Sequence, residues 1–330
     1  MTGGPRPTVA VFVDHDGMPD GLGEGAALAD LVAVSDDDEL APVVPRIDAV
    51  LAWTAERRWI SRVAADARRL RWLQSSSDGV DHVLVPELRA RTDVTVTNAR
   101  GIFEAPIAEW VVGAMLAMLT GLARSIVDQT HRRWTTGRHT ERLAGKRLLV
   151  VGPGPIGRAT ATRALALGMT VTAVGRTARS DPLFGHVAGS DRFHQALADA
   201  DVVLDALPST DQTKHRFDAP AFAAMRAGAR FINVGRGATV DQAALIDALR
   251  SGQLGGAALD VFETEPLPPD DPLWDLPNVI VSPHVSGDVE GYEDQTVALF
   301  IDNLGRFVRG EPLRNPVDVE AGFGFGDAPS

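Results

Sequence analysis

Cysteine is absent from the 330-residue sequence. Its absence excludes disulfide bonds, cysteine-ligated zinc and thiol nucleophiles, and it agrees with a reducing cytoplasm as the location of the protein. The sequence also has no H-E-x-x-H segment or similar cluster of histidines and acids, so metal-dependent hydrolysis has no support. We therefore expect a cytoplasmic protein without a disulfide framework and without a metal site.

Positive charge and long hydrophobic runs are also scarce. The formal net charge is -12, which disfavours a role based on neutralising nucleic-acid phosphates. One hydrophobic run, Trp110–Ala123, is too short to cross a bilayer and predicts a buried helix instead. The first residues lack a basic segment followed by a long apolar stretch, so no signal peptide is expected. The expected partners therefore include neither nucleic acid nor a membrane.

The composition is that of a globular protein, with 45% hydrophobic and 23% charged residues, and the length suits roughly two domains. Apolar segments alternate with helical ones in two series, which predicts an α/β fold with parallel sheets and helices on their faces. The predicted strands are Thr8–Asp14, Ala49–Trp53, Leu70–Ser76 and Val94–Ala99, followed by Lys146–Gly152, Thr170–Gly175, Asp201–Leu207, Ala229–Gly235, Gly256–Val261 and Asn278–Pro283. Helices are predicted over Glu56–Arg69, Pro106–His131, Arg158–Leu167 and Gly291–Arg309, and the Gly-rich tail from residue 322 is expected to be disordered.

A glycine-rich loop follows the first strand of the second series. Gly152, Gly154 and Gly157 form a G-x-G-x-x-G run before the helix Arg158–Leu167, and Gly168 suits the C-cap of that helix. Glycines at these positions permit a tight turn and let a pyrophosphate approach the N–H groups of the helix N-terminus. The complete βαβ context predicts a dinucleotide site rather than a turn that binds nothing.

The end of the next strand lacks the acid that usually holds the ribose hydroxyls of the cofactor. Gly175 stands there, followed by Arg176, Thr177 and Arg179, and the first acid downstream is Asp181. Because arginine binds phosphate well, this turn predicts the 2′-phosphate of NADP as its ligand, with NADPH preferred and NAD possible. The alternative is a solvated basic turn.

Three residue types suited to carbonyl reduction follow strands of the second series. Arg236 lies between two glycines just past one strand, and Glu265 and His284 follow the next two. Since ligands of open α/β sheets bind at the carboxyl ends of the strands, the three can meet beside the glycine loop. Histidine can donate a proton to a carbonyl oxygen, an acid can hold the imidazole protonated, and arginine can bind a carboxylate. Each residue taken alone also suits an ordinary surface or loop position.

These motifs together resemble the D-isomer-specific 2-hydroxyacid dehydrogenases, and the resemblance spans about Trp72 to Asp318. The segments that carry it are QSSSDGVDH (74–82), TNARGIFEAPIAEW (97–110), LAGKRLLVVGPGPIG (143–157), ALPSTDQT (206–213), NVGRG (233–237), LDVFETEPL (259–267) and SPH (282–284). The resemblance implies hydride transfer between NADPH and a small 2-keto or D-2-hydroxy acid, with Arg236, Glu265 and His284 as the catalytic residues. The basic turn is similar to that of NADPH-preferring glyoxylate and hydroxypyruvate reductases in the family.

The resemblance also implies an architecture of two doubly wound domains. Residues 1–101 and 286–330 would form a flavodoxin-like substrate domain, with a Rossmann cofactor domain inserted at residues 102–285, and two chains would form a homodimer. Asp78 and Gly79 would join Arg236 and His284 in holding the substrate. The residues implied to bind the cofactor are Gly152, Gly154, Pro155, Ile156, Gly157, Arg176, Thr177, Arg179, Leu207, Pro208, Thr213, Val234, Gly235, Asp260 and Gly287.

Some functions stay open on this pattern. Asp78 and the residues after His284 depart from the family where substrate size is determined, so the identity of the 2-keto acid is open. A formate dehydrogenase of this fold would pair the histidine with Gln instead of Glu265, and a phosphite-type dehydrogenase suits NAD better than the Arg176 turn. A nucleotide-sensing corepressor or scaffold can retain all three catalytic residues, and only turnover would distinguish it from an enzyme.

Overall fold

The computed structural model describes residues 6–14, 17–54, 56–137 and 140–320, and the backbone of 323–324. The chain divides into two compact units, one formed by residues 1–103 with 289–330 and one formed by residues 104–288. We call them the discontinuous unit and the inserted unit. The substrate and cofactor roles predicted for the two units stay predictions.

The discontinuous unit contains a parallel sheet of five strands in the order β2-β1-β3-β4-β5. The strands are β1 (Thr8–Phe12), β2 (Asp30–Val34), β3 (Ile47–Ala52), β4 (Trp72–Ser75) and β5 (Thr95–Thr97). The helices are α1 (Asp37–Val43), α2 (Arg57–Asp66), α3 (Pro86–Arg89) and α10 (Tyr292–Arg309). This strand order is the flavodoxin-like one, which confirms the predicted fold of this part of the chain.

Burial explains which of these elements could be predicted. All five residues of β1 are buried, so this strand is a continuous apolar run, as a central parallel strand requires. Helix α10 returns to the same unit, where its Phe300 stacks on Trp72 at 5.3 Å between ring centroids. Strand β2 was not predicted, because it is an edge strand in which only Val34 is buried.

The tail differs from its predicted disorder in one place. Phe323–Gly324 forms a short strand, β15, that pairs with the antiparallel strand β14 (Val317–Asp318). The prediction of disorder is therefore wrong for Phe323 and Gly324. Their strand is formed by backbone pairing, and no apolar run in the sequence indicated it. Residues 321–322 and 325–330 lie outside the described residues.

The inserted unit contains a sheet of eight strands in the order β13-β12-β11-β10-β6-β7-β9-β8. The strands are β6 (Arg147–Val151), β7 (Thr170–Val174), β8 (Arg179–Asp181), β9 (Gly185–Ala188), β10 (Val202–Asp205), β11 (Ala229–Asn233), β12 (Leu254–Leu259) and β13 (Val279–Val281). All neighbours are parallel except β8 and β9. The strand order reverses between β6 and β10, as in a Rossmann fold, which confirms the predicted class.

The helices of the inserted unit include one correction. They are α4 (Glu104–Leu119), α5 (Leu122–Thr130), α6 (Pro155–Ala166), α7 (Phe193–Asp199), α8 (Ala219–Ala224) and α9 (Gln242–Arg250). The single long helix predicted over Pro106–His131 is wrong, because Gly121 has a φ of 74° and α4 and α5 meet at 70°. A left-handed glycine ends one helix and starts the next in a new direction.

One face of helix α4 is buried, as the hydrophobic run predicted, although Leu116 within that run is 38% exposed. Its Val111 and Met115 are 0% exposed and belong to one apolar cluster with Leu148 and Val150 of β6 and Ala161 of α6. Among the described residues, no single helix is long and apolar enough to span a membrane, although α4 and α5 pass that test together as a bent pair.

Candidate active site

The glycine-rich loop lies at the carboxyl end of β6, next to the carboxyl end of β10. Gly152 has a φ of 94°, and a Cβ atom there would lie 2.5 Å from the carbonyl oxygen of Ala206. A Cβ atom on Gly157 would lie 2.4 Å from the carbonyl oxygen of Gly152. A Cβ atom on Gly154, by contrast, would have no atom from elsewhere in the described chain within 4 Å. Gly152 and Gly157 therefore let the loop close, and Gly154 leaves space for a ligand.

Helix α6 begins directly after this loop, with Gly154 as its N-cap and Pro155 as its first residue. Among the described residues no side chain caps the helix, so the N–H groups of its first turn can serve a ligand. Pro155 lacks an N–H and suits this position, while Ile156 packs against the apolar cluster of α4. The open N–H groups and the helix dipole favour a phosphate here.

The turn after β7 presents the residues predicted to bind the 2′-phosphate. Arg176, Thr177 and Arg179 are all exposed, and Arg179 begins β8. A Cβ atom on Gly175 would lie 3.1 Å from Nη1 of Arg179. The guanidinium of Arg179 therefore stands beside the position from which a ribose-binding acid would project. Contact between these side chains and the cofactor stays a prediction.

Asp181, the first acid after this turn, is buried and has three partners. Its carboxylate accepts from Nη1 of Arg158 at 2.6 Å and from the N–H groups of Leu183 and Phe184 at 2.9 and 3.2 Å. Burial acts to raise the pKa of Asp181, but these three donors outweigh burial and hold it below the usual value. Asp181 is therefore a structural carboxylate, and the turn has no acid ready for a ribose.

Arg236 follows β11 in a loop that packs closely on the segment after β12. A Cβ atom on Gly237 would lie 1.8 Å from the carbonyl oxygen of Phe262, so this approach requires glycine. The half-buried Arg236 side chain donates from Nη1 to the preceding carbonyl oxygen at 2.7 Å. Its positive charge is close enough to act on both Glu265 and His284. The three predicted catalytic residues therefore lie together in the inserted unit.

His284 and Glu265 form an ion pair after β13 and β12. The Nδ1 atom of His284 lies 2.8 Å from Oε2 of Glu265, and Oε1 of Glu265 accepts from the N–H of Phe262 at 2.8 Å. The hydrogen bond to Glu265 raises the pKa of His284, against the opposing effect of burial. Burial acts to raise the pKa of Glu265, but the hydrogen bonds from His284 and Phe262 outweigh burial and lower it. The imidazole thus stays protonated to a higher pH than a free histidine, with Nε2 as its second donor.

Asp260 holds the segment around His284 through a side-chain hydroxyl before it and two backbone N–H groups after it. It is 1% exposed, and its carboxylate accepts from Oγ of Ser282 at 2.6 Å and from the N–H groups of Val285 and Ser286, each at 3.0 Å. These bonds stabilise the segment in which His284 adopts the left-handed φ of 57°. Asp260 therefore positions His284, and its predicted contact with the nicotinamide stays a prediction.

The remaining residues predicted to bind the cofactor follow strands of the same sheet. Leu207 and Pro208 follow β10, Val234 and Gly235 follow β11, and Gly287 lies in the turn after His284. A Cβ atom on Gly235 would lie 2.6 Å from the carbonyl oxygen of Leu207, so these two loops touch. Thr213 closes its own loop, since its hydroxyl donates to the carbonyl oxygen of Pro208 at 2.6 Å and accepts from the N–H of Thr210 at 2.8 Å.

Asp78 and Gly79, which were predicted to bind the substrate, belong to the discontinuous unit. The backbone carbonyl oxygen of Asp78 and its Oδ1 accept from Nδ2 of Asn98 at 2.7 and 3.1 Å. Asn98 thus fixes the backbone of this loop. The sequence analysis did not identify Asn98, because its position after a strand was the only signal for it. The substrate contacts of Asp78 and Gly79 stay predictions.

Two buried polar residues near Arg236 were also not identified from the sequence. Asp205 ends β10, and Thr239 lies in the short 3-10 helix Gly237–Thr239; both are 0% exposed. A usable signal was present, because Asp205 interrupts the apolar run VVLDAL. An acid within a central parallel strand is unusual and indicates a specific partner.

The arrangement combines a place for dinucleotide phosphates with a proton donor and a cation for a carboxylate. All of them follow parallel strands near the point where the strand order reverses, which is the usual ligand position in such sheets. A protonated histidine held by an acid can protonate a carbonyl oxygen, and arginine can bind a carboxylate in a bidentate manner. The fold and the site thus define a nicotinamide-dependent dehydrogenase.

Known proteins identify the family within this class. The family model described as D-isomer specific 2-hydroxyacid dehydrogenase, NAD binding domain, matches residues 112–286. Glyoxylate/hydroxypyruvate reductase B of Citrobacter koseri is 34% identical over 279 residues, which cover 75% of this chain and 84% of that protein. The chain belongs to the D-isomer specific 2-hydroxyacid dehydrogenase family, which confirms the resemblance found in its motifs.

Solved structures of similar proteins agree with this assignment. A probable 2-hydroxyacid dehydrogenase from Rhizobium etli, in complex with NADP, HEPES and L(+)-tartaric acid, has a TM-score of 0.83 at 27% identity, over 96% of this chain and 100% of that one. An NADPH-dependent glyoxylate/hydroxypyruvate reductase from Sinorhizobium meliloti, in complex with NADP and sulfate, has a TM-score of 0.82 at 26% identity, with the same coverage. The protein is therefore an oxidoreductase that binds a nicotinamide cofactor and transfers hydride between it and a 2-keto or 2-hydroxy acid.

Proposed function

We propose that this protein uses NADPH to reduce a small 2-keto acid of the glyoxylate or hydroxypyruvate type to the 2-hydroxy acid, as the D isomer where the product is chiral. The observation that carries the proposal is the 2.8 Å pair between Nδ1 of His284 and Oε2 of Glu265, within reach of the charge of Arg236. The Citrobacter and Sinorhizobium relatives are both named glyoxylate/hydroxypyruvate reductases, which supports this substrate class.

The three catalytic residues divide the reaction between them. Bound NADPH would supply the hydride that adds to the carbonyl carbon. Glu265 holds the imidazole of His284 through Nδ1, so His284 donates a proton from Nε2 to the carbonyl oxygen, and C=O becomes CH–OH. Arg236 binds the substrate carboxylate, and its charge polarises the carbonyl group. The neutral imidazole then regains a proton from water before the next turnover.

The preference for NADPH rests on the turn after β7. Arg176, Thr177 and Arg179 offer donors and two positive charges to a 2′-phosphate, and all three are exposed. The acid that would otherwise compete, Asp181, is buried against Arg158. The related structures in complex with NADP support the same cofactor for this chain. NADH is expected to bind more weakly.

A panel of 2-keto acids with NADPH and NADH, followed by the absorbance of the reduced nicotinamide, tests this proposal. We expect the highest kcat/KM for glyoxylate or hydroxypyruvate with NADPH, and a large loss in His284→Ala. The matched control is His215→Ala, because Nε2 of His215 also lies 2.7 Å from a carboxylate, that of Glu263, and has no assigned role. Binding of NADPH without turnover of any 2-keto acid would favour a nucleotide-sensing corepressor or scaffold.

We also propose that the protein is a homodimer. Four large apolar side chains on and just after α5 are exposed: Leu122, Ile126, Val127 and Trp134, at 53%, 56%, 42% and 94%. Several exposed large apolar side chains close together in the sequence support a protein–protein contact here. Light scattering should give twice the chain mass of 35.1 kDa, and Ile126→Lys should give the monomer. The control is Val308→Lys, which changes an exposed apolar residue of α10 and should leave the dimer intact.

The cytoplasmic location stays a prediction that cell fractionation tests.

A further inference from the structure

Asp205 is a buried acid at the carboxyl end of β10, and the proposed hydride transfer does not use it. It is 0% exposed in the middle of the inserted unit's sheet, where β10 lies between β6 and β11. Its Oδ1 accepts from the N–H of Leu207 at 3.0 Å, and its Oδ2 lies 2.5 Å from Oγ1 of Thr239. The acid thus joins the loop predicted to face the nicotinamide to the loop that carries Arg236.

The hydroxyl of Thr239 lies between two oxygens. Its Oγ1 is 2.5 Å from Oδ2 of Asp205 and 2.6 Å from the carbonyl oxygen of Arg236, and both are hydrogen-bond distances. A hydroxyl group has one proton, and a carbonyl oxygen has none to offer, so Thr239 can donate to only one of its two neighbours. The other close contact must use a proton from Asp205, because two oxygens at this distance repel each other without one.

We propose that Asp205 is a neutral carboxylic acid that positions Arg236 through Thr239. Its Oδ2–H donates to Oγ1 of Thr239, and the Thr239 hydroxyl donates to the carbonyl oxygen of Arg236. Its Oδ1 remains an acceptor for the N–H of Leu207. The protonated oxygen of the acid thus has an acceptor, and the other oxygen has a donor. The same Arg236 carbonyl also accepts from Nδ2 of Asn233 at 3.2 Å and from the N–H of Thr239 at 3.1 Å. The effect on Arg236 rests on the proposed function, whereas the protonation of Asp205 does not.

The surroundings of Asp205 favour the neutral form. Complete burial raises the pKa of Asp205 to about 7, against the lowering effects of the hydrogen bonds with Thr239 and Leu207. A carboxylate in this position would lose its hydration without gaining a counter-charge. The hydrogen-bond geometry and the burial of Asp205 therefore both favour the neutral, protonated acid.

Charged groups on the neighbouring elements do not alter this result. Strand β6 carries Arg147 and strand β11 carries Arg230, both near the amino-terminal ends, whereas Asp205 is at the carboxyl end of β10. The 3-10 helix that carries Thr239 has no titratable side chain. Arg236 directly precedes it, and Asp241 follows it after Val240. Within the described residues, no charge is among the causes of the shifted pKa of Asp205.

Loss of the proton would break the chain of hydrogen bonds. The Thr239 hydroxyl would turn to the carboxylate, and the carbonyl oxygen of Arg236 would lose that donor. We expect the KM for the 2-keto acid to rise by roughly 2- to 12-fold, the effect of one hydrogen bond, as the pH rises past about 7. Asp205→Asn keeps the pattern at every pH, because its amide N–H donates to Thr239 and its amide oxygen accepts from Leu207.

Infrared spectroscopy of the cofactor-free full chain tests the protonation without any turnover. The difference spectrum between wild type and Asp205→Asn should contain the C=O stretch of a protonated carboxylic acid at about pH 6 and lose it by about pH 9. A carboxylate signal in its place at about pH 6 would overturn the proposal, even for a protein that reduces 2-keto acids well.

Steady-state kinetics at the same two pH values test the positioning of Arg236. Thr239→Val removes the hydroxyl at similar volume and should raise KM by roughly 2- to 12-fold at both pH values, whereas Thr239→Ser should follow wild type. Asp205→Asn should match wild type at low pH and keep that KM at high pH. A KM of Asp205→Asn that rises with pH in parallel with wild type would refute the positioning role. Absence of turnover in wild type would refute the proposed function instead and leave the infrared result standing.

Discussion

The Nδ1 atom of His284 lies 2.8 Å from Oε2 of Glu265, although the two residues are 19 positions apart in the chain. They meet because β12 and β13 are parallel neighbours whose carboxyl ends lie at the same edge of the sheet. Asp260, also buried at that edge, fixes the turn on both sides of His284. The acid–base pair is therefore built by the sheet and supported from inside it.

His284→Ala should lower kcat/KM by roughly 10²- to 10⁴-fold, the usual contribution of general acid catalysis. NADPH binding, measured by fluorescence titration, should be retained, because the residues predicted to contact the phosphates and the ribose lie elsewhere on the chain. His215→Ala serves as the control and should behave as wild type. Near-normal turnover of His284→Ala would remove His284 from the role of proton donor.

Glu265→Gln should move the alkaline limb of the kcat/KM profile to lower pH. The Glu265 carboxylate raises the pKa of His284 by stabilising the charged imidazole, so its removal lets that pKa fall toward the ordinary histidine value. The measurement is kcat/KM over the neutral to alkaline range in both proteins. Glu263→Gln, which alters the similar pair with His215, should leave the profile in place.

Arg236→Ala should raise the KM for the 2-keto acid by roughly 10- to 150-fold, because a hydrogen bond to a charged group contributes about 1.5–3 kcal/mol. Arg236→Lys should recover part of the loss, since it keeps the charge but not the bidentate geometry. Arg250→Ala, a change of an exposed arginine on α9, is the control. An effect of Arg236→Ala on cofactor affinity alone would show that Arg236 does not bind the substrate.

Arg176→Ala and Arg179→Ala should each weaken NADPH binding by roughly 10-fold while leaving NADH binding nearly unchanged, after allowance for solvent screening. Titration of both cofactors with wild type and variants is the measurement. Gly175→Asp is a less clean test, because its Cβ atom would also lie 3.1 Å from Cγ1 of Val187. Equal or tighter binding of NADH by wild type would mean that the basic turn faces solvent without a ligand.

Asp205→Asn should change the pH dependence of stability. The folded state raises the pKa of Asp205 from 3.8 to about 7, so the folded state binds this proton more tightly than the unfolded state does. The stabilisation from the neutral acid is fully present below the unfolded value and is lost as the pH rises to the folded value. The free energy of unfolding of wild type relative to Asp205→Asn should therefore fall between about pH 4 and about pH 7 and stay constant above it. Urea unfolding measures this difference, and Asp211→Asn, which alters an exposed acid after β10, should not show it.

Local patterns were enough to predict much of this protein. The apolar runs of β6, β10 and β11 predicted buried parallel strands, because burial on both faces leaves little choice of residue type. The spacing of Gly152, Gly154 and Gly157 between a strand and a helix predicted the phosphate loop, since backbone approach depends on the absence of a side chain. The motifs around Arg236, Glu265 and His284 predicted the family. All of these features are encoded within a few consecutive residues.

Tertiary structure decided the features that depend on distant partners. The edge strands β2 and β8, and the strand β9 that pairs with β8, are held by pairing rather than by apolar runs, so local pattern did not reveal them. The break between α4 and α5 depends on the left-handed backbone that the structure adopts at Gly121. Asp181 is paired with Arg158, which reaches it across 23 positions, and that pairing could not be read from the sequence around Asp181. Asp205 meets Thr239 across 34 positions, and that contact determines which atoms carry protons around Arg236. Sequence patterns determine which residue types are present, but the sheet order determines which of them come within hydrogen-bond distance.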